Sequence, residues 1–510
     1  MAISGPQENG SASITKTTSK SANANVNALL IGSQWVGAVS YSAPDSMSDY
    51  PADHMEPLSD LKKLSDKQLA VAHTALGADI LSGTTPGHAG FSVEGFTNLS
   101  TGFKSGGSGA GTIRLANTSD PATAYAYFPS NDAEGGDVFF GASGATPAAG
   151  NYDYATVLHE VGHALGLKHP HESGGLGGAL SQGLDSMEMS LMSYRSYVGA
   201  DTFGGYTNET WGYAQSYMML DIAALQQMYG ADYSTNSGNT IYSWSPTSGA
   251  TMVNGAVAIQ PGANRVFLTV WDGGGTDTYD FSAYATNLKI DLRPGKASVL
   301  SATQRADLDA GGNHKASGNV YNALLYKENK ASLIENATGG KGADNLMGNE
   351  AVNVLKGNGG NDTIDGGLGN DWVMGGAGND LLTGGQGADR IIGGAGADTF
   401  RFFTLSGSSY GSADTLLSGD GGAAFDGAGK APGDVIHLAS IDANVTVAGD
   451  QAFAWGGTSK KTKGYLWLGD VGSETHVWGN VDNDSTPEFH LKIADGGIKA
   501  ASYAASDFIL

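Results

Sequence analysis

From residue 339 to residue 401 the chain repeats every nine residues without a slip: GGKGADNLM, GNEAVNVLK, GNGGNDTID, GGLGNDWVM, GGAGNDLLT, GGQGADRII, GGAGADTFR. Few folds satisfy so short a period, because every repeat must place its glycines, its acid and its apolar residue alike. Glycine permits turns closed to other residues and leaves its carbonyl free to face a hard cation. The Asp at the sixth place adds a carboxylate, and the apolar eighth place points inward and packs. The pattern GGxGxDxUx, with U apolar, is that of a parallel β-roll that binds calcium. Two repeats make one turn, so Asp344, Asp362, Asp380 and Asp398 fall on one face and Asp371 and Asp389 on the other. Asn353 replaces Asp in the second repeat, which also lacks the Gly pair, so that loop is expected to bind calcium weakly or not at all.

Composition supports an ordered repeat in a chain of more than one domain. Its 510 residues exceed one compact core, and 78 of them are Gly. A formal charge of −24 repels phosphate backbones and attracts cations, which argues against nucleic acid as a partner. With no Cys, disulfides, thiolate catalysis and Cys-ligated zinc are excluded. No run is apolar enough for membrane insertion. Residues 1–26 read as a flexible leader, rich in Ser, Thr, Ala and Asn, without the pattern of a Sec signal peptide.

Between residues 27 and 235 the text is that of an α+β domain. Residues 39–42, 91–93, 113–116, 124–128 and 137–140 are β-prone runs between turn residues, enough for a five-stranded mixed sheet. Ser65 and Gln68 make a capping box before Leu69, Ala72, His73 and Leu76, which recur at helical spacing. Further helices are predicted over about 154–165, stopped by Gly166, and over about 218–228, stopped by Gly230. Residues 236–510 read as a β-roll/β-sandwich domain, with strands expected at 435–438, 445–447, 465–468, 475–477 and 489–493 after the repeats.

The second of these helices carries HEVGHALGLKH, residues 159–169. Positions i and i+4 share a helix face, so His159 and His163 can both address one ion. Glu160 lies about 100° round the helix, where a general base for a zinc-activated water belongs. Gly166 allows the sharp turn that returns His169 as a third ligand, leaving a fourth position open. His171 is expected to be an exposed loop residue. His54, His73, His88, His314, His437, His476 and His490 have no ligand spacing and are expected to be structural or on the surface.

HExxHxxGxxH followed by a Met-containing turn is the metzincin signature, and SLMSYRS supplies Met192, Ser193 and Tyr194. In this form the chain resembles the serralysin family of bacterial metalloproteases, with C-terminal RTX repeats. The blocks IRLAN (113–117), GDVFF (136–140), MMLDIAALQQMYG (218–230) and WDGGGTDTYDFS (271–282) are similar to serralysin blocks in the same order. The resemblance implies a Met192 floor under the zinc site. It also implies a Tyr194 that ligates zinc at rest and then supports the tetrahedral intermediate. Arg195 departs from the aromatic often found there. An edge strand at Ala124, Tyr125, Ala126 and Tyr127 would take an extended peptide by strand addition. A separate calcium site is implied at Asp272, Gly274 and Asp277, opposite Asn236, Gly238 and Thr240.

Together these readings predict a secreted zinc endopeptidase, monomeric, acting on proteins or peptides, with one catalytic Zn2+ and several structural Ca2+. Stacked carboxylates should keep the repeats unfolded until extracellular calcium neutralises them, which suits passage through a type I secretion exporter. Asp507, Phe508, Ile509 and Leu510 match the family's uncleaved C-terminal signal, and the leader would be a short pro-segment. The alternative is a calcium-dependent surface or matrix-binding protein with a vestigial protease domain. A lipase is disfavoured, since no G-x-S-x-G stands beside a strand-to-helix turn; the near form at 106–111 lies in a Gly loop.

Overall fold

The computed structural model describes residues 4–8, 11–54, 60–77, 90–105, 111–460 and 462–510, with side chains from residue 14 onward. His88 and most of the glycine loop at 106–111 lie outside the described residues. The chain divides into two compact units, Met1–Gly275 with Pro294–Leu333, and Thr276–Arg293 with Ile334–Leu510.

In the first unit the strands run in the spatial order Thr101–Lys104, Val39–Ser42, Ile113–Asn117, Asp137–Phe140, Ala124–Ala126. The last is antiparallel and the other pairings are parallel, a five-stranded mixed sheet. Residues 91–93 are not among these strands. Ser92 caps a short helix, Val93–Phe96, by accepting from Gly95 N–H at 3.1 Å. A helical turn buries Phe91, Val93 and Phe96 together, whereas a strand would send alternate side chains to opposite faces.

The helix Asp66–Leu76 starts at the expected capping box of Ser65 and Gln68. The motif helix, Tyr152–Leu165, begins earlier than periodicity suggested, because the Asn151 side chain accepts from Tyr154 N–H at 2.8 Å. Gly166 ends it at φ +110°, and an ideal Cβ there would stand 2.7 Å from the Ser33 carbonyl oxygen, so glycine is required twice over. Buried Trp35 ties that end down, its Nε1–H donating to the Ala164 carbonyl at 2.8 Å. The helix Met219–Tyr229 packs nearby, with the Gln34 amide donating to the Met228 carbonyl. Within the residues read as a flexible leader, Ser11–Thr17 is a strand paired antiparallel with Ser33–Val36.

The second unit is built from two parallel sheets fed alternately by the repeats. One stacks Asn336–Thr338, Val354–Gly359, Trp372–Ala377, Arg390–Ala395 and Asp414–Leu416. The other stacks Lys289–Asp291, Asn345–Met347, Thr363–Asp365, Leu381–Thr383, Thr399–Arg401 and Val435–His437. Eighth-place residues fall in register and face inward, Leu355, Val373 and Ile391 in one sheet and Leu346, Ile364, Leu382 and Phe400 in the other; Leu416 and Ile436, beyond the repeats, continue the two rows, and all are buried. This is the expected roll. Tyr465–Val471, Glu474–Asn480 and Phe489–Ile493 extend the first sheet antiparallel to one another. Residues 445–447 form no strand. The Asn444 carboxamide accepts from Thr446 N–H at 3.3 Å and from its hydroxyl at 2.8 Å, a local turn that leaves Val445 and Val447 exposed. Among the described residues no helix is long and apolar enough to cross a membrane.

Candidate metal centre, cleft and acidic ladders

The motif helix and its glycine turn bring three histidines together. His169 Nε2 lies 3.1 Å from His159 Nε2 and 3.0 Å from His163 Nε2. Each ring is oriented from behind by an acceptor on its other nitrogen: the Leu191 carbonyl on His159 Nδ1 (3.1 Å), the Leu167 carbonyl on His163 Nδ1 (2.7 Å) and the Glu172 carboxylate on His169 Nδ1 (2.8 Å). Acceptors hold the proton on each Nδ1, so all three Nε2 atoms present lone pairs and cannot satisfy one another. Three converging lone pairs without a proton form a donor set for a cation, and zinc accepts such a set. Burial adds to this by holding His159 down to about 4 and His163 well below the usual histidine range.

Glu160 is buried beside them, and its Oε2 has no hydrogen-bond partner among the described residues. Burial raises its carboxyl to about 8. It lines a cavity of about 510 Å³ with His159, Tyr194, Thr156, Tyr152, Tyr206 and Ala124. Tyr194 stacks on His159 at 17° and lies 4.2 Å, centroid to centroid, from His169. Burial and the nearby Glu160 raise its phenol to about 12. Met192 is fully buried beneath, its Sδ only 2.7 Å from an ideal Cβ on Gly162, so the helix glycine makes room for it.

Sequence reasoning missed what holds that floor in place. Asp221, fully buried on the helix Met219–Tyr229, accepts from Ser190 Oγ at 2.5 Å, from Leu191 N–H at 2.7 Å and from Met218 N–H at 2.9 Å. Asp185 accepts from Ser193 Oγ at 2.6 Å and from Arg195 Nε at 2.9 Å. Arg195 thereby shares the Asp185 carboxylate with Ser193 of the Met-containing turn. His171 is not an exposed loop residue: it is half-buried and stacks on His169 at 5.4 Å and 17°, because the Pro170 turn folds it back over the site. His73 and His54 are structural, bonded to Tyr41 and Asp137 respectively.

Among the described residues Ala124–Ala126 is the sheet edge, paired only with Asp137–Phe140. Tyr125 and Tyr127 pack against Tyr50, Ala116 and Phe139, so the side chains anchor the strand and Ala124 lies at the cavity. Elsewhere in the first unit, Asp272 accepts from Tyr242 Oη at 2.7 Å and from Gly274 N–H at 2.8 Å. The Thr240 hydroxyl stands 3.2 and 3.0 Å from the carbonyls of Asn236 and Gly238. Asp277 belongs to the second unit.

In the roll the aspartates form two hydrogen-bonded ladders. Along one face the N–H of Asp344 donates to Asp362 Oδ1, that of Asp362 to Asp380, that of Asp380 to Asp398 and that of Asp398 to Asp434. Along the other, Asn353 donates to Asp371, Asp371 to Asp389 and Asp389 to Asp414. The second oxygens of Asp362, Asp371, Asp380, Asp389 and Asp398 are buried without a partner among the described residues. They crowd the glycines: an ideal Cβ on Gly375, Gly384 or Gly393 would stand 2.3 Å from an aspartate Oδ2. Orphaned carboxylate oxygens beside backbone that tolerates no side chain fit a calcium ion. Asp344 ends its ladder differently, its oxygens accepting from Leu288 and Gly340 N–H. Asn353 donates its amide N–H to the Glu335 carbonyl, and its oxygen accepts from Asn349 N–H, so unlike the aspartates it brings no second carboxylate oxygen. Asp414 and Asp434 escaped the sequence reading because they stand 25 and 36 residues beyond their partners instead of 18. The only local signal is an acid two residues before an apolar one, as in Asp414-Thr415-Leu416.

A roll of stacked glycine–aspartate turns places the second unit among the parallel β-roll proteins. Residues 231–509 match the family described as Peptidase M10 serralysin C terminal, and the chain belongs to that family. It is 35% identical over 255 residues to the metallopeptidase AprA of Pseudomonas marginalis, covering 47% of this chain and 48% of that protein. Serralysin C of Dickeya chrysanthemi is 36% identical over 233 residues, 44% of this chain and 42% of its own. Serralysin of Proteus mirabilis is 31% identical over 249 residues, 46% and 45% respectively. The chain thus spans about half the length of the curated relatives it matches.

Proposed function

We propose that the protein is a secreted, monomeric, zinc-dependent endopeptidase that hydrolyses internal peptide bonds, with a second unit that folds on calcium. The observation carrying this reading is the set of three Nε2 lone pairs fixed by acceptors on every Nδ1, beside a buried carboxyl with a free oxygen. His159, His163 and His169 would hold zinc, which when bound polarises a carbonyl and acidifies water. Glu160 is the general base: a dication nearby favours its carboxylate over the protonated form that burial alone enforces. It takes the proton from the attacking water and delivers it to the leaving amine, so that one water is consumed as one C–N bond breaks. Tyr194 stays protonated near neutral pH and donates to the oxyanion that develops on the carbonyl. Ala124, Tyr125, Ala126 and Tyr127 would hold the extended peptide through backbone hydrogen bonds. The names metallopeptidase and serralysin carried by the relatives support the same class. A type I exporter is the implied partner, since uncompensated acidic ladders favour an unfolded chain where calcium is scarce.

In the test, Glu160→Ala is assayed on casein while zinc is counted by plasma mass spectrometry. Hydrolysis should fall by about 10²–10⁴-fold with zinc content unchanged. Full activity in the zinc-loaded variant would remove the assignment, and activity that survives complete zinc removal would remove the enzyme class.

A further inference from the structure

His159 and His163 stand on one helix, but His169 is carried by irregular chain, which no helical ladder fixes. The residue before it supplies the support. Lys168 is fully buried, and its Nζ donates to the carbonyls of His169 at 3.2 Å, Glu172 at 2.7 Å and Gly178 at 3.2 Å. An ammonium has three donors, and here three carbonyls take them. Two of those carbonyls belong to residues whose side chains meet, since Glu172 accepts from His169 Nδ1 at 2.8 Å. Glu172 N–H also donates to the His169 carbonyl at 3.2 Å, so the ammonium sits on a closed turn and draws Gly178 onto it. The surroundings are shaped for this side chain. Gly175, at φ +73°, would place an ideal Cβ 2.9 Å from Lys168 Cε and 2.3 Å from the Leu30 carbonyl oxygen. Both arms of the loop are pinned to one segment, Lys168 N–H donating to the Leu29 carbonyl at 2.8 Å and Leu176 N–H to that of Leu30 at 3.0 Å. The carboxylates of Glu172 and Asp185 act on the buried cation, and Asp185 is also the acceptor for Ser193 on the Met-containing turn.

We propose that Lys168 is a positioning residue for the third zinc ligand: its ammonium, held by three backbone carbonyls, fixes the loop on which Glu172 aims His169. Without the ammonium three converging carbonyls lose a shared donor, and the one ligand outside the helix loses its seat. This inference rests on the reading of the three histidines as a zinc site.

The test uses the full chain with calcium present. Zinc Kd is read by competition with a chromophoric chelator for wild type, Lys168→Met and Lys168→Cys, with Tm measured alongside. Methionine keeps most of the stem and removes the charge, and zinc should bind about 10–100-fold more weakly, the loss typical of a partner behind a metal ligand. The chain has no Cys of its own, so the thiol of Lys168→Cys can be alkylated selectively with 2-bromoethylamine in urea before refolding. That restores an ammonium at the length of lysine, and most of the lost affinity should return, measured beside wild type carried through the same refolding. A lower Tm with a wild-type zinc Kd in Lys168→Met would mean packing alone and would overturn the proposal while leaving the zinc site intact. An alkylated protein that binds zinc no better than Lys168→Met, while refolded wild type recovers, would overturn it too. Should Lys168→Met not fold, Lys168→Gln repeats the measurement with two uncharged donors, and a wild-type Kd there would again overturn it. Wild type that binds no zinc would overturn the zinc reading and this inference together.

Discussion

The two units prepare for a cation in opposite ways. In the first, three neutral imidazoles are aimed by acceptors behind them, so the donor set is arranged before any ion arrives. In the second, each interior aspartate spends one oxygen on the backbone and leaves the other buried, so that, once ionised, the array repels itself unless a cation is near. On the proposed reading, neutral ligands would make a site that outlasts loss of its metal, and stacked carboxylates a fold that depends on one.

The most severe test of this contrast is withdrawal of calcium by dialysis with zinc still supplied. Hydrogen exchange followed by mass spectrometry should show loss of protection over residues 339–416, while the motif helix stays protected. Each saturated site contributes about 2.7 kcal/mol at a hundredfold excess over Kd, so several together exceed the stability of a typical domain. Equal loss in both regions would break the comparison.

A second test uses pH on calcium-free protein. Burial raises Asp362 and Asp371 to about 7 and Asp414, with its acidic neighbours, to about 9. The folded state therefore holds protons that the unfolded chain releases above about pH 4, and stability falls as pH rises from there towards 9. Without calcium, Tm should be higher at pH 5 than at pH 8; with calcium the order should reverse, because the ion competes with those protons. The same order in both conditions would separate the ladders from calcium.

Smaller effects come from single glycines. Gly384→Ala would drive a Cβ to within 2.3 Å of Asp389 Oδ2, and should cost about 1–3 kcal/mol with weaker calcium binding in titration. Gly162→Ala would press on Met192 Sδ, a flexible side chain that can shift, and should cost about 1 kcal/mol. It should lower kcat several-fold while zinc stays bound; loss of zinc instead would mean that Met192 supports the ligands more tightly than its packing shows.

Much of both sites was legible in the order of residues, because helical and nine-residue periods dictate which side chains share a face. His159, His163, His169 and Glu160 needed only the spacing of a helix and a glycine stop, and the six repeat aspartates only their period. Failures came where a local signal met a remote partner or a competing local one. Residues 91–93 carry β-prone side chains, but Ser92 capping and the joint burial of Phe91, Val93 and Phe96 made a helical turn. Residues 445–447 alternate as a strand would, yet the Asn444 carboxamide closed a turn there.

Sequence alone therefore determined which candidate ligand side chains share a face: histidines with a carboxylate in one unit, glycines with stacked aspartates in the other. Tertiary structure decided which atoms are left to act. The Leu191 carbonyl, 32 residues from His159, orients that ring, and Asp221, 31 residues from Ser190, holds the turn beneath it. Asp414 joins its ladder 25 residues beyond Asp389, across a segment longer than the repeat's 18. Hydrogen bonds of this kind depend on where distant segments meet, and a buried oxygen becomes an orphan only once every neighbour is in place.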